Sequence, residues 1–330
     1  MRRREDRGCI FPAVGHGSAL CLLFTPACAF SAWGDHSTGM ALTVDGVMNW
    51  LVQNADALQP SMPDHYLRSN AFYALKARGE IPVAQEVPEE LFLKEVLPYR
   101  VVDEPVDHWR EGFFQVLAPH AMRATSLRGA VEDLVPRIFQ ELRASPKVMR
   151  KPNQTAVVFK SNLTPEMMAP ISETLTSGYA SCTGSSILIV DGLRSVGIPA
   201  RLVGTPQWNI PTGGNHNWVE VWTGDGWHFF DAVPDVRLDE AWFAPSNTKF
   251  ANNKDSTHAI LSAEWTKGDA TYPLTWRKPA VLWRAEDLAQ EDCRQQNRHA
   301  THREAKCSMA KGNWPSPQKT CERFLPKRLI

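Results

Sequence analysis

"SGYASCTGSSILIVDGLRSVGIPARLVG", residues 177–204, sets a single cysteine, Cys182, among small residues directly before an apolar run of helical period. A cysteine that only fills space belongs within such a run. One at its head sits where the first N–H groups of a helix have no intrahelical acceptor. A free thiol has a pKa of about 8.5, and a helix N-terminus beside an imidazolium favours the thiolate, which is the nucleophile. The serines and glycine around Cys182 leave room for a substrate carbonyl, and the N–H of Cys182 itself is placed to stabilise an oxyanion. A buried, inert cysteine would share most of these features, so the chemistry of acyl transfer depends on a base elsewhere in the chain.

"GGNHNWVEVWTGDGWHFFD" supplies that base, with His216 at the start of one strand, Asp231 at the end of the next, and a tight turn at Gly224–Gly226 between them. A hairpin of this length brings His216 and Asp231 close to cross-strand register, within reach of diagonal side-chain contact. A carboxylate beside His216 fixes its tautomer and stabilises the imidazolium formed when it takes the thiol proton. Glu220 shares strand parity with His216, and Asp235 follows in "DAVPD", so the identity of the orienting acid stays open among three residues. Trp218 and Trp222 fall on the His216 face by strand alternation, as a water shield, as the wall of an acyl pocket or as plain core. Gln154, in "KPNQT", is a candidate second oxyanion donor within a segment that otherwise reads as exposed loop.

These side chains need a frame. Residues 39–57 and 63–79 read as helices, "DHYLRSNAFYALKAR" carrying apolar residues at three-four spacing. "PEELFLKEVLPYR" begins with a proline and two acids and stops near Pro98; "DEPVDHWREGFFQVLAP" and "SLRGAVEDLVPRIFQEL" give two more helices, the second with a kink expected at Pro136. Residues 144–180, rich in Pro, Ser, Thr and Asn, read as a long loop with glycosylation sequons at Asn153 and Asn162. After Cys182, the helix places Ile187, Val190 and Leu193 on one face, and Gly197 and Pro199 end it. "ARLVGTPQW", "HNWVEVWT", "GWHFFDAV", "STHAILSAEW" and "LTWRKPAVLWRA" read as strands. Helices first, a central helix, then an antiparallel sheet make an α+β plan.

The 330 residues are 43% hydrophobic and 22% charged, an ordinary globular composition. The formal net charge is +0, so no global field draws the chain to nucleic acid or an anionic membrane. Cys9, Cys21 and Cys28 lie near the start and Cys293, Cys307 and Cys321 near the end, leaving Cys182 alone in the central body. No C-x-x-C pair or Cys/His cluster has zinc-site spacing, and no apolar run reaches the roughly 18 residues of a spanning helix.

The domain expectation has four parts: a leader or disordered segment over 1–38, a helical region over 39–145, a catalytic core over 146–285 and a basic, disordered tail over 286–330. The leader reading rests on a basic start, the apolar "ALCLLF" and the small-residue "ACA", a pattern of signal peptides. It points to secretion, while "ACAF" resembles the junction of bipartite plastid leaders and points to a plastid.

A cysteine heading a helix, then "GIPAR" from Gly197 to Arg201, then His216 with Trp218 to Val221, then Trp227 with Asp231, resemble the transglutaminase-like superfamily. The broader likeness, to bacterial-type transglutaminase-like domain proteins, extends from about residue 85 to 285. The resemblance implies a papain-like core in which Cys182, His216 and Asp231 form a catalytic triad, with no cofactor or metal. It implies a thiol-dependent hydrolase of peptide or amide bonds that forms a thioester with a protein or peptide substrate. The alternatives are transfer of a glutamine acyl group to an amine, and a binding module that keeps the fold without turnover. Animal-type cross-linking relatives add β-sandwich domains and calcium, and peptide N-glycanases add paired C-x-x-C zinc ligands; this sequence shows neither pattern. One departure stands out: many members follow the acid with Pro-Thr, whereas Asp231 is followed by Ala232 and Val233.

Overall fold

The computed structural model describes residues 42–55, 58–161, 168–266 and 268–288, all within one compact unit. The leader, the Asn162 sequon, the six other cysteines and nearly all of the basic tail lie outside the described residues.

The N-terminal half is helical: α1 (Val44–Asn54), α2 (Asp64–Glu80), the short α3 (Pro82–Gln85), α4 (Glu89–Glu95), α5 (Trp109–Ala121) and α6 (Leu127–Ala144). Local chemistry sets several of these ends. Thr43 Oγ1 accepts from Gly46 N–H at 3.1 Å, and Ser126 Oγ accepts from Gly129 N–H at 3.1 Å, so each helix starts on a side-chain cap. Along α6 the buried residues Leu127, Ala130, Val131, Leu134, Val135, Ile138, Phe139 and Leu142 repeat at three-four spacing, and the helix continues through Pro136.

The expected long loop after α6 holds more structure than its composition announces. Strand β1 (Val158–Phe159) pairs in parallel with β2 (Tyr179–Ala180), and a π-helix spans Pro170–Leu175 between them. That π-turn is capped by carboxylates. Glu173 accepts from Met168 and Ala169 N–H, and Asp107 accepts from Ile171 and Ser172 N–H, all at 2.8–2.9 Å.

Helix α7 (Cys182–Ser195) is the centre of the molecule, packed on α5 and α6 on one side and on β3 (Ala200–Thr205) and β4 (His216–Trp222) on the other. The sequence pattern implied a single apolar face, but every residue from Thr183 to Ser195 is buried. Two of the polar members find partners outside the helix: Arg194 pairs with Glu95 at 3.2 Å and donates to the Ala200 carbonyl at 3.0 Å, and Thr183 accepts from Asn217 at 2.7 Å. Arg110 on α5 donates to the Arg194 carbonyl and to the carbonyls of Val96, Leu97 and Pro98, tying α7 to the chain after α4. The helix ends as its sequence suggests. Gly197, at φ +81°, donates to Arg194 O while Ile198 N–H reaches back to Leu193 O, a Schellman closure that needs the left-handed residue.

Strands β5 (Trp227–Phe230), β6 (Leu261–Ala263), β7 (Ala270–Leu274) and β8 (Val281–Asp287) complete a fully antiparallel six-stranded sheet of order β5-β4-β3-β6-β8-β7. The α+β class is therefore observed. Strand β7 was not anticipated; Pro273 lies within it, which the sheet tolerates because β7 is an edge strand. Strand β8 runs to Asp287 and so takes in the first two residues of the expected tail. One hydrophobic core extends from Val47 to Ala285, so the helical region and the sheet share an interior.

Candidate active site

Cys182 is the first residue of α7 and is half-buried. Ser181 caps the helix, its Oγ accepting from Gly184 N–H at 3.3 Å. The N–H groups of Cys182 and Thr183 precede the first full turn and have no intrahelical acceptor, which gives the thiol an anion-stabilising surrounding. The preceding strand β2 is held by β1, Lys160 N–H donating to Ala180 O at 2.8 Å. Exposed Val158, Phe159 and Tyr179 lie on this pair.

His216 opens β4. In the β4–β5 hairpin Val219 pairs with Phe230, so continuing the register puts Asp231 opposite Trp218, two positions from His216 on the same face. The contact is made: His216 Nε2 donates to Asp231 Oδ1 at 3.1 Å, and the same oxygen accepts from Ala232 N–H at 2.9 Å. The Cys182 side chain is near enough to the His216 ring to raise its proton affinity. With Nε2 facing Asp231, Nδ1 is the ring nitrogen left for another partner. Burial pulls the His216 pKa down, but the hydrogen bonds to Asp231 and Cys182, with the charges of both, push it up to about 9.

Of the other two candidate acids, neither reaches this ring. Glu220 lies four residues along β4, roughly 13 Å away by strand rise, and accepts from Arg201 Nε and Nη2 at 3.0 and 2.8 Å. Asp235 is exposed and paired with Arg237 at 3.2 Å. Gln154 is an exposed loop residue four positions before β1.

Trp218 does lie beside His216, at 6.1 Å between ring centroids. Trp222 instead packs edge-on against Trp227 and joins the main core. Three further rings surround His216: Trp208 at 6.2 Å, Trp242 at 5.2 Å and Phe243 at 5.1 Å. Trp208, Trp218 and Phe243 bury one another with Val203 in a second small core, whereas Trp242 is 61% exposed at the solvent edge. Sequence reasoning missed Trp242 and Phe243 because they lie in an irregular segment, where no period assigns a face, and Trp208 because β3 stops at Thr205, short of the strand expected over 200–208; the abundance of tryptophan was their only signal. Among the described residues no group of three or more His, Cys, Asp or Glu is disposed to hold a metal ion, and no helix is long and apolar enough to cross a membrane.

Residues 138–232 match the transglutaminase-like superfamily. The chain carries a transglutaminase-like core. The match begins within α6 and ends one residue past Asp231, so it takes in Cys182, His216 and Asp231 and leaves out β6–β8 and the Trp242–Phe243 edge. No curated protein and no solved structure matches the chain. The transglutaminase-like core is generally a cysteine-based catalytic fold.

Proposed function

We propose that the protein is a thiol-dependent hydrolase of peptide or amide bonds. The observation that carries this reading is the His216 ring held between Cys182 and Asp231. His216 keeps its proton up to about pH 9, so over the neutral range the ring beside Cys182 is an imidazolium, the neighbour that favours a thiolate nucleophile. The thiolate attacks the substrate carbonyl carbon, and charge develops on the carbonyl oxygen near the free N–H groups at the start of α7. His216 gives its proton to the departing amine as the carbon–nitrogen bond breaks, leaving a thioester on Cys182. Neutral His216 then takes a proton from water as that water attacks the thioester, releasing the acid and restoring the thiolate and imidazolium. Asp231 orients the ring and balances its charge throughout. A primary amine in place of water turns the same thioester into transamidation.

Exposed Trp242 beside His216, and exposed Tyr179 three residues before Cys182, suit a polypeptide rather than a small enclosed substrate. The test is incubation with a glutamine-rich protein and a fluorescent primary amine. Cleavage or deamidation without amine incorporation, abolished in Cys182→Ala, is the expected result. Cys182-dependent incorporation would make the protein a transferase. No reaction, together with slow, alkaline-dependent labelling of Cys182, would leave a binding module.

A further inference from the structure

The residue after the nucleophile and the residue after the base are joined by a buried hydrogen bond. Asn217 follows His216 on β4 and Thr183 follows Cys182 on α7; Asn217 Nδ2 donates to Thr183 Oγ1 at 2.7 Å. The other end of the amide is also engaged, Asn217 Oδ1 accepting from the hydroxyl of Tyr272, which arrives from β7 at the far edge of the sheet. Asn217, Thr183 and Tyr272 are each 0% exposed.

We propose that Asn217 is a positioning residue, clamped by Thr183 and Tyr272 so that α7 and β4 hold Cys182 and His216 at one separation. The inference rests on the Cys182–His216–Asp231 reading above. A buried amide is favourable only while its groups stay paired, so a slide of α7 along β4 would strand an N–H in a dry interior. An apolar side chain at the same place would impose no such register, because dispersion contacts have no direction. Space for the clamp is made by Gly204, the register partner of Asn217 on β3. A Cβ at Gly204 would collide with Asn217 Oδ1, the Tyr272 hydroxyl and the carbonyl oxygen of His216. The glycine therefore admits the far end of Tyr272 to the one point where it can hold the amide, against the backbone of the base itself.

The test reads Cys182 rather than turnover. The full chain is alkylated with iodoacetamide from about pH 5 to 10, and modification is followed at the Cys182 peptide by mass spectrometry. Thr183→Val keeps the branched shape and deletes the acceptor; alkylation at about pH 6 should fall roughly tenfold, with the acid limb moving towards that of a free thiol. Thr183→Ser restores the hydroxyl and should restore the profile. A Thr183→Val profile that superimposes on wild type, or one that Thr183→Ser shares, overturns the proposal. Should Thr183→Val fail to fold by circular dichroism, Tyr272→Phe decides: a shift in the same direction supports the clamp, and an unchanged profile overturns it. Failure of the functional reading looks different. In that case wild-type Cys182 alkylates as a free thiol and His216→Ala changes nothing, and both readings fall together.

Discussion

The two ends of β4 use similar materials for opposite ends. At its C-terminal half, Glu220 accepts two hydrogen bonds from Arg201 directly across the ladder, and the Arg201 guanidinium lies 4.1 Å from the ring centre of Trp227. At its N-terminal end, His216 lies between an acid and a thiol, with indole rings about it. Both ends combine a carboxylate, a nitrogen base and tryptophan. The difference lies in what can change. A guanidinium stays charged at every working pH, so the Arg201–Glu220 pair is a fixed brace across β3 and β4. An imidazole can give up its proton, and its thiol neighbour is only half-buried. The strand thus divides into a fixed brace and a titratable end, about four residues apart.

That division can be broken at either end. Cys182→Ser and His216→Ala should each lower turnover by about 10³-fold or more while leaving the circular dichroism spectrum and melting cooperativity intact. Retained activity in His216→Ala would contradict its role as base. Glu220→Gln attacks the brace: Arg201 keeps Glu286 at 3.7 Å but loses its two charged hydrogen bonds to Glu220, which should cost about 2 kcal/mol in denaturant unfolding, yet leave Cys182 labelling near pH 6 unchanged. Loss of labelling at unaltered stability would merge the two ends into one functional unit.

Asp231→Asn sits between these effects. The folded pKa of His216 is about 9 against an ordinary 6.5, so its charge contributes stability that is fully present below about 6.5 and lost as pH rises through about 9. On the order of 3 kcal/mol of unfolding free energy should disappear across that window in wild type, with the alkaline limb of turnover falling near pH 9. In Asp231→Asn the stability slope should flatten, the alkaline limb should move towards neutrality, and the rate at the optimum should fall about 10–100-fold. With Glu220 bound to Arg201 and Asp235 to Arg237, neither of those two acids stands ready to replace it. A limb that stays near pH 9 would reassign the orienting group. The smallest effect is expected at Trp242→Ala. An exposed ring should cost under about 0.5 kcal/mol of stability, and KM for a peptide substrate should rise several-fold with kcat little changed.

The parts legible in the sequence are those fixed by neighbours in the chain. Ser181 and Cys182 at the head of α7, Gly197 at its end and the Gly224–Gly226 turn all follow from contacts a few residues long. The hairpin register that brings Asp231 to His216 follows from the turn, because a two-residue period carries position along both strands. What the sequence left open was decided by distant segments. Arg201, from the neighbouring strand, occupied Glu220 and so removed it from the choice of acids. Trp208 and the Trp242–Phe243 pair return from irregular segments to enclose His216, and Glu173 and Asp107 build a π-turn where composition suggested only loop. Helix α7 looked one-faced because its polar residues seemed to need water; in the interior Glu95 and the Ala200 carbonyl meet Arg194 instead, and Asn217 meets Thr183. Capping, turns and strand period are local energies written residue by residue, whereas burial of a charge or a ring depends on which remote atoms arrive to meet it, and only the folded chain settles that.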